Sequence, residues 1–139
     1  MSELIKELKQ EHQEIANILL ELKSLSIYSI KGMDLLIQSK NKLLSHLQKE
    51  DKYLYPVLKE QAQTDSSLKR TLAVFGKEMD EITKFVLDFY EKYSNLEDVN
   101  KAEFSKDISK FIFALKNRIM KEEVAIYKAY EKIQVNSIV

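Results

Sequence analysis

The stretch Ser66–Tyr93 reads SSLKRTLAVFGKEMDEITKFVLDFYEKY. Its large apolar residues Leu68, Leu72, Phe75, Met79, Ile82, Val86, Phe89 and Tyr93 alternate at intervals of four and three throughout. That spacing follows one face of an α-helix and does not fit a strand. Working outward, three more segments carry the same period. The first runs from about Glu3 to Ser26, with Leu4, Ile5, Leu8, Ile15, Leu19 and Leu22. Another runs from about Met33 to Ala62, with Leu36, Leu43, Leu47, Leu54 and Val57. The last runs from about Lys101 to Ile133, with Phe104, Ile108, Phe111, Leu115, Arg118, Glu122, Ala125 and Ala129. Polar breaks are predicted at Lys31–Gly32, Gln63–Ser67 and Ser94–Asn100. Asn100 with Glu103 predicts a capping box. Four amphipathic helices of about 25–30 residues, each about 40 Å long, predict an all-α, up-down-up-down four-helix bundle. The bundle is expected over residues 1–134, with a short frayed tail over 135–139.

Composition agrees with a single domain. The chain has 139 residues, of which 45% are hydrophobic and 32% charged, with only two glycines and one proline. Lys and Arg total 22, as do Asp and Glu. A balanced charge leaves no basic excess to displace counterions from nucleic acid, so nucleic acid is not the expected partner. The chain lacks cysteine, which excludes disulfides, thiol catalysis and cysteine-held metal. No apolar run approaches the length of a membrane span, and the first residues show no signal-peptide core. A cytoplasmic protein is expected, monomer or homodimer, with a protein or small-molecule partner. There is no internal repeat and no low-complexity tract.

Two residues break helix rules. Pro56 lies inside the second segment and predicts a kink, because proline removes a backbone hydrogen bond and its ring crowds the preceding turn. Gly76 lies inside the third and is read as a close helix contact.

The informative departures are polar residues on apolar faces. His12 shares a face with Leu8 and Ile15. His46 lies three residues after Leu43, and Glu50 four residues after His46. Arg118 and Glu122 hold successive core positions of the last helix. Charged side chains are rarely buried unless paired. In an up-down bundle, residues equidistant from a loop lie at one height. This arithmetic puts His12, His46, Glu50, Met79, Arg118 and Glu122 in one layer at mid-bundle. Two histidines and two glutamates in a layer suit iron, manganese or zinc. Tyr53 and Tyr127 lie close enough in sequence to reach the layer; both are read as packing residues with hydroxyls at the rim.

Three segments resemble the hemerythrin family, specifically the bacterial HHE cation-binding domains. They are LKQEHQEI (Leu8–Ile15), SHLQKEDKYLYP (Ser45–Pro56) and RIMKEEVAIY (Arg118–Tyr127). The resemblance implies a di-iron centre held by five histidines and two bridging carboxylates. His12, His46, Glu50 and Glu122 match ligand positions. Met79 and Arg118 stand where the family has histidine, and the chain has only two histidines in all.

Arg118 decides the functional expectation. Guanidinium stays protonated and cannot ligate. A dication about 5 Å from it would be repelled by roughly 6–7 kcal/mol at an effective dielectric of about 20. The expected centre is therefore a buried Arg-Glu-His network with no cofactor, and Met79 as filler. The alternative is iron, as one ion or an incomplete di-iron pair, on His12, His46, Glu50 and Glu122 with Arg118 turned outward. The function expected is a non-enzymatic binding or sensing protein; the alternative handles oxygen, nitric oxide or redox signals through iron. No Gly-rich phosphate loop, Ser-centred elbow or metalloprotease helix motif is present. A phosphotransfer bundle would need an exposed histidine, and both histidines lie on apolar faces.

Overall fold

The computed structural model describes residues 2–25, 29–94 and 100–138, with side chains as far as 135. Its helices are α1 (Glu3–Ser24), α2 (Ile30–Lys49), α3 (Tyr55–Ala62), α4 (Ser66–Lys92), α5 (Lys101–Lys121) and α6 (Tyr127–Ile138). A π turn at Glu50–Leu54 joins α2 to α3, and another at Glu122–Ile126 joins α5 to α6. Among the described residues, six α-helices thus make four rods. α1 packs on α2 and α5, α4 packs on α3 and α5, and α3 meets α6 across the bundle. This is the four-helix bundle that the periodicity predicts. No helix among the described residues is long and apolar enough to cross a membrane.

Polar side chains start the rods. Ser2 Oγ accepts the Ile5 amide, Ser29 Oγ the Gly32 amide, and Asp65 Oδ1 the Leu68 amide. Each such cap is worth about 1 kcal/mol. The predicted break at Lys31–Gly32 is displaced: α2 begins at Ile30, and Gly32 is buried in its first turn. Residues 26–28, before Ser29, lie outside the described set, as do residues 95–99 of the third break. Ser66 and Ser67 begin α4 rather than ending a loop. Half of the predicted capping box forms. Asn100 Oδ1 accepts the amides of Ala102 and Glu103, while the Glu103 carboxylate accepts from Lys92 instead. α6 runs on to Ile138, through the positions read as tail; Val139 is outside the described residues.

At Pro56 the rod widens rather than breaks. The Tyr55 amide donates five residues back, to the Glu50 carbonyl. The wider turn makes room at the point where a proline ring would crowd an α-helical carbonyl. Proline is not the whole cause. The fourth rod widens in the same way, with the Tyr127 amide donating to the Glu122 carbonyl, and it has no proline. What the two turns share is a buried glutamate at their start and a tyrosine just past their end.

The apolar core comes in two parts. One packs Ile15, Leu19, Leu43, Phe89, Phe111 and Leu115. The other packs Ile5, Leu8, Leu54, Leu58, Phe75 and Ile126. Between them in sequence, on α1, α2, α5 and the starts of the two π turns, lie the buried polar residues His12, His46, Glu50, Arg118 and Glu122.

Candidate metal centre

Each of these five side chains is buried because its helix face is. His12 follows Leu8 and precedes Ile15 on α1; His46 and Glu50 close α2; Arg118 and Glu122 close α5. One donor atom from each of His12, His46, Glu50 and Glu122 lies within 4.8 Å of all the others. The layer predicted from helix heights therefore forms. Met79 stands at its edge and meets it through Tyr55, whose hydroxyl is 3.9 Å from Met79 Sδ.

Arg118 points inward, with a side chain only 4% exposed. Its Nη2 lies 3.6 Å from Glu50 Oε1 and 3.7 Å from Glu122 Oε2. These are ion-pair distances, longer than hydrogen bonds. Arg118 stands between the two carboxylates rather than forking them, and its Nη2 and Glu50 Oε1 have no hydrogen-bond partner among the described residues.

Two tyrosines cross-brace the layer. The Tyr55 hydroxyl donates to Glu122 Oε2 at 3.1 Å. The Tyr127 hydroxyl lies 2.7 Å from Glu122 Oε1, 2.9 Å from Glu50 Oε2 and 3.0 Å from His12 Nε2. Each tyrosine thus reaches the glutamate of the opposite rod. Tyr127 was expected at the rim and is instead buried in the layer; Tyr53 is 51% exposed and takes no part. Helix register explains both. On an α-helix a residue five after glutamate sits about 140° away from it. The extra residue in a π turn brings it back to the same face. A reading based on the α period selects Tyr53 and passes over Tyr55. The second participant missed from sequence is Glu11, whose Oε1 is 2.8 Å from His46 Nδ1. Its position beside His12 is the only sequence signal for it.

A hydroxyl has one proton to give. If Tyr127 gives it to Glu122, the contact with Glu50 is bonded when Glu50 holds a proton. Burial raises the Glu50 carboxyl, His46 opposes this, and Glu122 adds to it. Burial acts on Glu122 as well, but the hydrogen bond with His12, the neighbouring His46 and Glu50 and the Arg118 charge hold it well below the usual range. Burial works against a charge on His46, yet the carboxylates of Glu122, Glu50 and Glu11 around it push it up to about 10. Glu11 is lowered against its burial by Lys49 and His46. With the proton on Glu50, the carboxylates of Glu122 and Glu11 face the cations Arg118 and His46. Lys49, 2.6 Å from Glu11, adds a third cation, so the carboxylates are matched by side chains of the chain itself.

Do these residues fit a metal? Two imidazoles and two carboxylates are four donors of the type that iron, manganese and zinc accept, so on count and chemistry they fit one ion. They do not fit two. The chain has no third histidine, and the Arg118 guanidinium faces both carboxylates that would bridge a pair.

Fold and centre together define a helical bundle with a cation-type donor set at mid-height. The model of the hemerythrin HHE cation-binding domain matches residues 3–130. The chain belongs to this family. No curated protein and no solved structure matches it.

Proposed function

We propose that this chain is an HHE-domain protein in which Arg118 supplies the positive charge that a metal would bring, and that it binds or senses a partner instead of catalysing a reaction. The observation that carries this reading is the buried guanidinium 3.6 and 3.7 Å from two carboxylates that would otherwise be ligands. A second cation against Glu50, His46 at 3.3 Å, supports it. So does the bracing by Tyr55 and Tyr127, which takes up carboxylate oxygens that a metal would need. The partner is a protein or small molecule, met in the cytoplasm.

A second reading rests on the donor cluster itself. One iron on His12, His46, Glu50 and Glu122 would give a redox or gas-responsive centre, with the four side chains holding the ion and the tyrosines orienting the carboxylates. Anaerobic iron titration separates the readings. The parent chain is compared with Met79→His/Arg118→His, which restores two ligand-type residues and removes the guanidinium. The first reading expects weak uptake by the parent and much tighter uptake by the double variant. Tight, equal uptake by both would favour the second.

A further inference from the structure

Neither backbone conformation nor a close neighbour requires glycine at position 76. It lies in the interior of α4, where alanine is the better helix former. It does not have a positive φ. A Cβ built on it would meet nothing within 4 Å. The close helix contact expected from sequence is therefore absent. Gly76 lines a cleft of about 390 Å³ between the second and third rods. That volume falls within the range of small-molecule sites.

The cleft has a definite chemistry. Leu47 and Leu72 supply apolar walls, and Tyr55 and Met79 line it beside them. Aromatic rings pack well on thioether sulfur and on another ring. Asp51, Asp80 and Lys59 are its charged lining residues, and their charges sum to one negative. All three are exposed. Tyr55 also donates to Glu122 in the buried layer. An occupant touching Tyr55 is thus one hydrogen bond from the centre.

We propose that the Gly76 cleft binds a small organic cation with an aromatic body, of the arylalkylamine class. The ring lies against Tyr55 and Met79, and the ammonium faces Asp51 and Asp80. This deepens the binding reading above and rests on it for its functional meaning: Tyr55 carries the occupancy of the cleft to Glu122.

The test is an NMR titration of the full chain, as purified, with its methionine ε-methyl groups labelled with ¹³C. The probes are phenethylammonium and its anionic counterpart phenylacetate. Phenethylammonium should shift the Met79 methyl by ring current in a saturable way, leaving Met33 and Met120 in place. Phenylacetate should bind at least about tenfold more weakly, a difference of about 1.4 kcal/mol. Gly76→Leu should abolish the shift, whereas Gly76→Ala, whose Cβ meets nothing, should retain it. Asp51→Asn/Asp80→Asn should weaken the cation and leave phenylacetate no weaker. An unmoved Met79 resonance would overturn the proposal, as would equal binding of both probes or undiminished binding by Gly76→Leu. Metal content decides the Arg118 reading separately. Iron in the parent chain would end that reading, and the titration would then be run with diamagnetic zinc in its place so that the Met79 resonance stays readable; a silent Met79 would end the cleft proposal while leaving Arg118 where it is.

Discussion

Replacing Arg118 with methionine keeps much of the stem and removes the charge. Glu122 then remains buried with one cation fewer. Breaking a buried pair in this way costs about 3–5 kcal/mol, and the loss should appear as a lower urea midpoint in the presence of chelator. The hydroxyls can be ranked in the same assay. Tyr127→Phe leaves contacts to Glu50, Glu122 and His12 unmade and should cost about 1–3 kcal/mol. Tyr55→Phe should cost less, having one carboxylate contact, and Tyr53→Phe should be close to neutral. His46 gives a pH test. Its folded value is raised from 6.5 to about 10, so its contribution is fully present below about pH 6.5 and is lost as pH rises through about 10. The urea midpoint of the chelated protein should fall over that window, and His46→Gln should flatten the fall. A metal site would give the opposite sign, because ligating imidazole must be neutral. At this scale much was legible in advance. His12, His46, Glu50, Arg118 and Glu122 stood out because they occupy positions that periodicity assigns to the core. Glu11 did not stand out, since it lies off that stripe and reaches His46 from the neighbouring rod.

Elements depart from expectation where one residue is added to a turn. Strict three-four spacing in α4 and clear cap residues made the rods readable. The π turns were not, because a periodicity argument assumes one residue spacing along the whole helix, and they displaced the tyrosine assignment by two positions. Pro56 signalled that something happens in the second rod. Nothing marked the matching turn in the fourth, where the only cue is the repeated spacing from Glu50 to Tyr55 and from Glu122 to Tyr127. Gly76 was misread for a related reason: glycine in a helix marks either close packing or open space, and only the surroundings decide. Gly76→Ala should raise stability by about 1 kcal/mol, read as a higher thermal or urea midpoint. A loss of stability would mean that α4 is more tightly packed than the open side of Gly76 indicates.

For the whole molecule, the consequence is a bundle whose two apolar clusters flank a charged layer. Such a layer is stable only if its charges are matched, either by an ion from outside or by side chains from within. Four rods, two glutamates and two histidines conform to the cation-binding family. Arg118 and His46 supply positive charge from within. The most direct measurement is the metal content of the full chain purified without chelator, taken with its urea midpoint before and after chelator treatment. Our account predicts iron and zinc far below one per chain and a midpoint that chelator leaves unchanged. A full equivalent of bound metal, together with a midpoint that drops when the metal is removed, would contradict it.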